Sequence, residues 1–347
     1  MGISLYTTEE CEKIAELASL RYVTDQTPGI TRKRRGKGFA YYLANGQHIA
    51  DGKIIKRINS LAIPPAYQNV WISPYANGHI QATGRDDRRR KQYIYHPLWT
   101  QKRQQQKFDL LLQFGQVLPE IRKHIKEQLN KPLNMSKEQI ICAIIYLLDH
   151  SSIRIGNDIY SRENKSYGLT TLRKKHLSIE DNIAFLDFKG KSAQIWHVIL
   201  KDKKIIKILK KCEELPGYEL FKYQDDNAQS HVITSQDVNS YLQSLTQQSF
   251  TAKDFRTWTA SREVFNRLIN NIKQEECSSA DQLKSIIKEV ALLLGHTPSV
   301  CQKNYIHPEI VSGWNDNILV HWMAKNDVFI NTGGDKDEVF LLWLQER

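Results

Sequence analysis

The chain has 347 residues, 41% of them hydrophobic and 25% charged, a balance that excludes a disordered or fibrous protein. Its formal net charge of +11 is the outlier and points to a polyanionic partner, either nucleic acid or an anionic membrane surface. The longest apolar runs (140–148 and 290–294) are too short to span a bilayer, and the N-terminus lacks an apolar signal core. Five cysteines without CxxC spacing suggest neither zinc nor a disulfide framework, so a reduced, cytoplasmic, basic globular protein is expected.

Residues 5–20 have helical spacing, with Thr8 as N-cap. The stretch from Gly29 to Gly38 carries Arg32, Lys33, Arg34, Arg35 and Lys37. It reads as a basic loop leading into Phe39–Leu43 and Asn45-Gly46, a strand and hairpin signal. A short helix near 51–60 is broken by Pro64-Pro65. Val70–Ile72, His79–Thr83 and Tyr93–Tyr95 read as short strands with turns between them. Between the last two, a charged loop holds Arg85, Arg88, Arg89, Arg90 and Lys91, followed by Gln92, Tyr93 and Tyr95. Arginines can bind phosphates while a β-ribbon in the major groove brings Gln or Tyr side chains to base edges. Residues 1–100 are therefore expected to form a small β-rich domain whose basic loops grip a nucleic-acid backbone.

From Thr100 the texture becomes helical, with segments at 101–112 and 119–129. Ser136-x-x-Gln139 resembles a capping box opening a buried helix through Leu148, and Ile153-Arg154-Ile155-Gly156-Asn157 ends it. Ile183–Phe188 and Gln194–Ile199 flank Lys189-Gly190-Lys191-Ser192-Ala193, a hairpin with a lysine at its tip. Gly190-Lys191-Ser192 is not a P-loop, because Phe185 stands where that motif needs glycine and the flanks read strand-strand. Thr251 and Asp254 open another helix, in which Phe255, Trp258, Phe265 and Leu268 form a buried stripe beside Arg256. A further apolar helix, with Leu283, Ile286, Ile287, Val290, Ala291 and Leu294 at helical spacing, stops at Gly295. Thr297-Pro298 then caps a new helix, which puts His296 in a tight corner and Tyr305 about two turns on. Residues 313–347 look helical without a motif. The expected class is α+β, with a β-rich domain at 1–100 and a mainly α-helical catalytic domain at 101–347 that contains a short β-hairpin.

Each of these polar residues has a plain reading on its own: a joint histidine, a half-buried aromatic, an ion-paired arginine, a solvated lysine. Together, two semi-buried arginines, a hairpin lysine, a corner histidine and a tyrosine are what a metal-free phosphodiester transesterification needs. The phenol attacks, and guanidiniums and an imidazole N–H stabilise the charge on the non-bridging oxygens. A lysine protonates the departing 5′-oxygen.

On these motifs the sequence resembles the type IB DNA topoisomerases of the small poxvirus/bacterial group. Ile153-Arg154-Ile155-Gly156…Tyr160 with Ser166–Leu172 resembles the first-arginine motif, and Phe188–Ser192 the lysine hairpin. Lys253–Trp258 resembles the second-arginine motif, and Gly295-His296-Thr297-Pro298 through Tyr305 the nucleophile block. The resemblance covers roughly residues 20–312 and implies roles. Tyr305 would attack to form a 3′-phosphotyrosine, with Arg154, Arg256 and His296 stabilising the transition state and Lys191 as general acid. Tyr160 and Lys253 would join the N-terminal cations in contacting DNA. Resealing as the reverse reaction would require neither ATP nor Mg²⁺, and a monomer would close on duplex DNA as a clamp and relax supercoils of either sign by swivelling.

Two other readings are open. A tyrosine recombinase or integrase shares the Arg-Lys-Arg-His-Tyr chemistry, but usually carries a histidine shortly before its second arginine, where this chain reads Lys253-Asp254-Phe255-Arg256. A non-catalytic basic DNA-binding protein would account for the charge alone, and in it Tyr305→Phe would be silent.

Overall fold

The computed structural model describes residues 8–225, 227–273, 279–327, 330 and 334–347, with the side chains of Ile159 and Tyr160 outside that set. The chain divides into two compact units, Met1–Lys107 and Phe108–Arg347.

In the first unit, α1 (Thr8–Leu17) precedes β1 (Ile30–Arg35), β2 (Gly38–Tyr42), α2 (Gly52–Ser60), β3 (Gln68–Ile72), β4 (Ile80–Arg85) and β5 (Lys91–Tyr95). The strands form one antiparallel sheet in the order β2-β1-β3-β4-β5. Ile30, Val70, Ile72 and Ala82 from the sheet pack with Ile49 and with Ile58 of α2. Asp51 starts α2 by accepting from the Lys53 amide at 2.7 Å. The Asn45-Gly46 turn forms with Gly46 at φ +84°, and Leu43 N donates to Gln47 O at 2.9 Å.

The run expected as a basic loop is instead a strand: Arg32 pairs with Tyr41 and Lys33 with Ala40, and the chain reverses at Gly36-Lys37. The reason lies in Arg32, which shares a face with buried Ile30. Its guanidinium donates to the carbonyls of Ile63 (3.1 Å), Pro64 (3.0 Å) and Tyr67 (2.7 Å), so an inward cation is satisfied and the strand is tolerated. The second expected loop is likewise shorter. Arg85 and Lys91 are paired strand residues, and 86–90 form the turn between them.

The helix α3 (Pro97–Asn130) contains the division between the units, and from Phe108 onward it belongs to the second. Separate helices at 101–112 and 119–129 are not what forms; one helix runs through Pro119. Proline removes one backbone bond, but Phe114, Leu118, Ile121 and Ile125 are all buried, and their packing carries the helix across the gap.

There follow α4 (Lys137–Ser151), α5 (Asp158–Asn164), β6 (Leu177–Glu180), β7 (Ile183–Lys189), β8 (Ile195–Leu200) and α6 (Lys203–Glu214). Then come β9 (Lys222–Gln224), β10 (Ser230–Val232), α7 (Ser235–Thr246), α8 (Ala252–Lys273) and α9 (Ala280–Leu293). The chain ends with α10 (Pro298–Tyr305), α11 (Pro308–Asn315), α12 (Ile318–Lys325) and a C-terminal helix (Lys336–Gln345). Strands β6, β7 and β8 make a three-stranded antiparallel sheet, and the remaining hairpin is β9–β10. Helix α4 is the centre of the core, buried on every side from Ile140 to Ile145. Ser136 caps it by accepting from Gln139 N at 3.3 Å, but the expected box is half made, because the Gln139 carboxamide accepts from Asn134 N instead. The class is α+β, with a β-rich N-terminal unit and a mainly helical second one.

Candidate active site

The corner between α9 and α10 is built by local chemistry. Leu283, Ile286, Ile287, Val290 and Ala291 bury one stripe of α9. Gly295 takes φ +61°, a value a side chain would resist, and His296 N donates back to Ala291 O at 2.8 Å. Thr297 then accepts from Val300 N at 3.4 Å, with Pro298 in the first helical turn. This turn holds the His296 ring 4.6 Å from the Tyr305 ring, centroid to centroid, at 34°. The backbone on either side of Ile306 is fastened by Ser261 of α8, a fully buried hydroxyl. Its Oγ donates to Tyr305 O at 2.9 Å and accepts from His307 N at 2.9 Å.

Two guanidiniums converge on the same corner. Arg256 is 3% exposed; it donates to Ser152 O and, at 2.7 Å, to Leu294 O. Its Nη2 lies 3.1 Å from His296 Nε2, and its Cζ lies 5.7 Å from the Tyr305 ring centroid. Arg154 Nη2 reaches Gly295 O at 3.3 Å and both His296 ring nitrogens, at 3.1 and 3.3 Å. A neutral imidazole has a single acceptor nitrogen, so at most one of these two approaches is a hydrogen bond. The segment carrying Arg154 is laced to residues 168–170: Leu169 N donates to Arg154 O at 2.9 Å and Thr170 N to Ile155 O at 2.7 Å. Gly168 is required there, since a Cβ would sit 2.5 Å from Arg154 O.

Charge is left uncompensated. Neither Arg154 nor Arg256 is ion-paired to a carboxylate among the described residues, and Arg154 Nη1 and Arg256 Nε are buried without a protein acceptor. Burial, and then the neighbouring Arg154, lower the Arg256 guanidinium to about 10. Burial together with Arg154, Arg256 and Lys191 pushes the His296 imidazole down to about 3, which keeps it neutral at physiological pH. Such a site, rich in N–H donors and cations, suits an oxyanion and would repel a divalent metal ion.

Lys191 sits, exposed, in the turn between β7 and β8. What brings that turn to the corner is Trp196. A Cβ on Gly190 would lie 2.7 Å from the indole nitrogen, and one on Gly295 3.1 Å from Trp196 Cζ2 and Gln194 Cγ. Two glycines thus let one indole bracket the hairpin against the histidine corner. Trp196 and Ser261 are not signalled by any motif. In the sequence, the glycines at 190 and 295 are the one clue to the bracket.

The expected DNA-contact residues fall into two groups. Lys33, Arg34, Arg35, Lys37, Arg88, Arg89 and Lys253 are exposed. Tyr93 and Tyr95 are about two-fifths exposed and stack at 5.8 Å and 9°. Others serve the chain itself. Arg32 fastens three carbonyls, Arg85 Nη1 donates to Arg89 O at 2.8 Å, and Lys91 pairs with Asp25 at 2.6 Å. Asp86 Oδ2 takes Arg90 Nε at 2.8 Å and Gln92 Nε2 at 3.0 Å; the Arg90 bond foremost holds its carboxyl near 2. For these the turn's own hydrogen bonds compete with any phosphate. The side chain of Tyr160 lies outside the described residues.

Residues 96–326 match the family described as eukaryotic DNA topoisomerase I, catalytic core, and residues 38–86 match the bacterial DNA topoisomerase IB N-terminal domain. The chain is 33% identical over 307 residues to DNA topoisomerase 1B of Acanthamoeba polyphaga mimivirus, covering 86% of this chain and 91% of that protein. It is 24% identical over 264 residues to DNA topoisomerase 1B of Vaccinia virus (strain Copenhagen), covering 75% and 79%. Against DNA topoisomerase 1 of Candida albicans it is 27% identical over 220 residues, 61% of this chain and 26% of the relative. With the catalytic-core family matched over more than half of this chain and the bacterial N-terminal domain ahead of it, the chain belongs to the type IB DNA topoisomerase family.

Proposed function

We propose that the protein nicks one strand of duplex DNA through Tyr305, relaxes positive and negative supercoils by swivelling, and reseals the strand without ATP or metal. The Tyr305 oxygen attacks the scissile phosphorus as the bond from phosphorus to the 5′-oxygen breaks. A 3′-phosphotyrosyl ester forms, the phenol's proton passes to solvent, and the leaving 5′-oxygen takes one from Lys191. Arg154 and Arg256 offer N–H donors to the non-bridging oxygens where charge builds up. A neutral His296 donates a hydrogen bond and does not shuttle protons, because its imidazole titrates far below physiological pH. One phosphodiester is exchanged for another, so the reverse reaction needs no external energy. The exposed cations of the N-terminal unit and Lys253 would bind the phosphate backbone, the two units together gripping the duplex as a clamp.

The observation that carries this reading is the pair of guanidiniums, Arg256 buried and Arg154 half-buried, that lack carboxylate partners among the described residues and share one imidazole beside the Tyr305 ring. The test is incubation with supercoiled plasmid in EDTA, followed by a denaturing gel for the protein–DNA adduct. Relaxation and an adduct are expected for the natural chain, and neither for Tyr305→Phe, which should still bind DNA. Unrelaxed plasmid, or an adduct that persists in Tyr305→Phe, would overturn it.

A further inference from the structure

Asp337 opens the C-terminal helix and lies beyond residues 96–326, the span matched by the catalytic-core family. Its carboxylate is a meeting point for three donors. Oδ1 accepts from Trp258 Nε1 at 2.6 Å and Arg262 Nη1 at 2.9 Å. Oδ2 accepts from Arg122 Nη1 at 2.8 Å and Arg262 Nη1 at 3.1 Å. Burial alone would raise this carboxyl, but facing Arg262 and Arg122 it is held below the usual range.

Both branches lead to the corner. Trp258 follows Arg256 by two residues on α8. Its indole is seated against Gly115 of α3, where a Cβ would come within 2.3 Å of the ring, and 4.9 Å from the ring of Phe340 on the C-terminal helix. On the other branch, Arg122 grips Asp149 of α4 with two bonds, Nε to Oδ2 at 2.8 Å and Nη2 to Oδ1 at 3.0 Å. Asp149 lies in the last turn of α4, just ahead of Ser152, whose carbonyl accepts from Arg256, and of Arg154. One carboxylate therefore ties together the two elements that carry the two guanidiniums.

We propose that Asp337 is a positioning residue for transesterification: through Trp258 to α8, and through Arg122 and Asp149 to the end of α4, it sets the spacing between Arg256 and Arg154. The inference rests on the transesterase reading of the corner. Guanidiniums that stabilise a phosphorane must be held to within a fraction of an ångström, and a shift of about 1 Å from a distant substitution can cost about 10²-fold in rate.

The experiment measures single-turnover cleavage of a duplex oligonucleotide by the full chain, alongside DNA affinity and melting temperature. Asp337→Asn removes the charge, and Trp258→Phe keeps one aromatic ring but deletes the N–H and leaves a gap in the buried packing. Both are expected to slow cleavage by about tenfold or more while DNA affinity stays within about twofold. The deciding readout is a double-mutant cycle with Arg256→Ala. If Asp337 acts through the two arginines, Asp337→Asn costs much less in that background, where only the Arg154 branch is left to disturb, whereas a general weakening of the fold costs the same factor in both. Should Asp337→Asn fail to fold, the cycle is run with Trp258→Phe. Unchanged cleavage in folded variants, or equal losses in both backgrounds, overturns the inference. Absence of a Tyr305 adduct in the natural chain would instead overturn the underlying reading of the site, and the inference with it.

Discussion

The second unit contains two clusters of arginines, with Arg256 buried and Arg122, Arg154 and Arg262 half-buried, that meet the cost of desolvation in opposite ways. Arg122 and Arg262 face carboxylates, Asp149, Asp337 and Glu263, and both guanidiniums are pushed upward against the effect of burial. Arg154 and Arg256 face carbonyls and a neutral imidazole, and both are pushed downward. A cation neutralised by its own chain has little left to offer a phosphate. One held only by carbonyl oxygens keeps both its charge and its geometry, at a cost to stability that a bound anion would repay.

The difference can be broken at several points. Lys191→Ala tests the one cation at the corner that must release a proton. Cleavage should slow by about 10²–10⁴-fold, and a substrate with a 5′-bridging sulfur, which leaves without protonation, should recover the rate. No recovery in a single-turnover assay would remove the general-acid role. Arg256→Met should cost about 10²–10³-fold in cleavage, with less loss of stability than its burial suggests. Arg122→Met should weigh chiefly on stability: by stranding Asp149, while Asp337 keeps Arg262 and Trp258, it should cost about 3–5 kcal/mol in urea unfolding, with the smaller loss of cleavage, about tenfold, that its link to α4 implies. If both substitutions behaved alike in the two assays, the contrast between the clusters would be empty.

Smaller effects test the surface and the histidine. Replacing Arg34 and Arg35 with Gln should flatten the plot of log affinity against log salt by about 0.9 per lost phosphate contact, without changing the single-turnover rate. An unchanged slope would place the DNA elsewhere. The last effect shows only in acid. The His296 imidazole is lowered from 6.5 to about 3, so between those values the unfolded chain takes up a proton that the folded chain refuses. Its contribution is harmless at neutral pH and lowers stability as pH falls from 6.5 towards 3. Melting temperatures measured across that range should fall less steeply for His296→Asn than for the natural chain.

Much of the corner is legible in the amino-acid order. A buried stripe, a glycine stop and a Thr-Pro start act within a few residues, so Gly295, His296 and the course of α10 follow from neighbours in sequence, as does the hairpin that carries Lys191. The N-terminal cations are harder to read, because identical side chains meet different fates. Arg34 and Arg35 are exposed, while Arg32, beside them, is drawn inward by carbonyls at 63, 64 and 67. Periodicity cannot anticipate that. Nor can it foresee a helix running through Pro119, where packing outweighs a missing backbone bond.

By itself the sequence determined the local joints and the order of chemical groups along the chain: two arginines, a lysine, a histidine and a tyrosine, each at a cap, a turn or a helix end. Only the tertiary structure decided which arginines keep their charge available. That depends on partners far away in sequence: Arg154 meets His296 across 142 positions and Arg122 meets Asp337 across 215. Long side chains reach whatever the packed elements bring near, and electrostatic energy depends on distance in space.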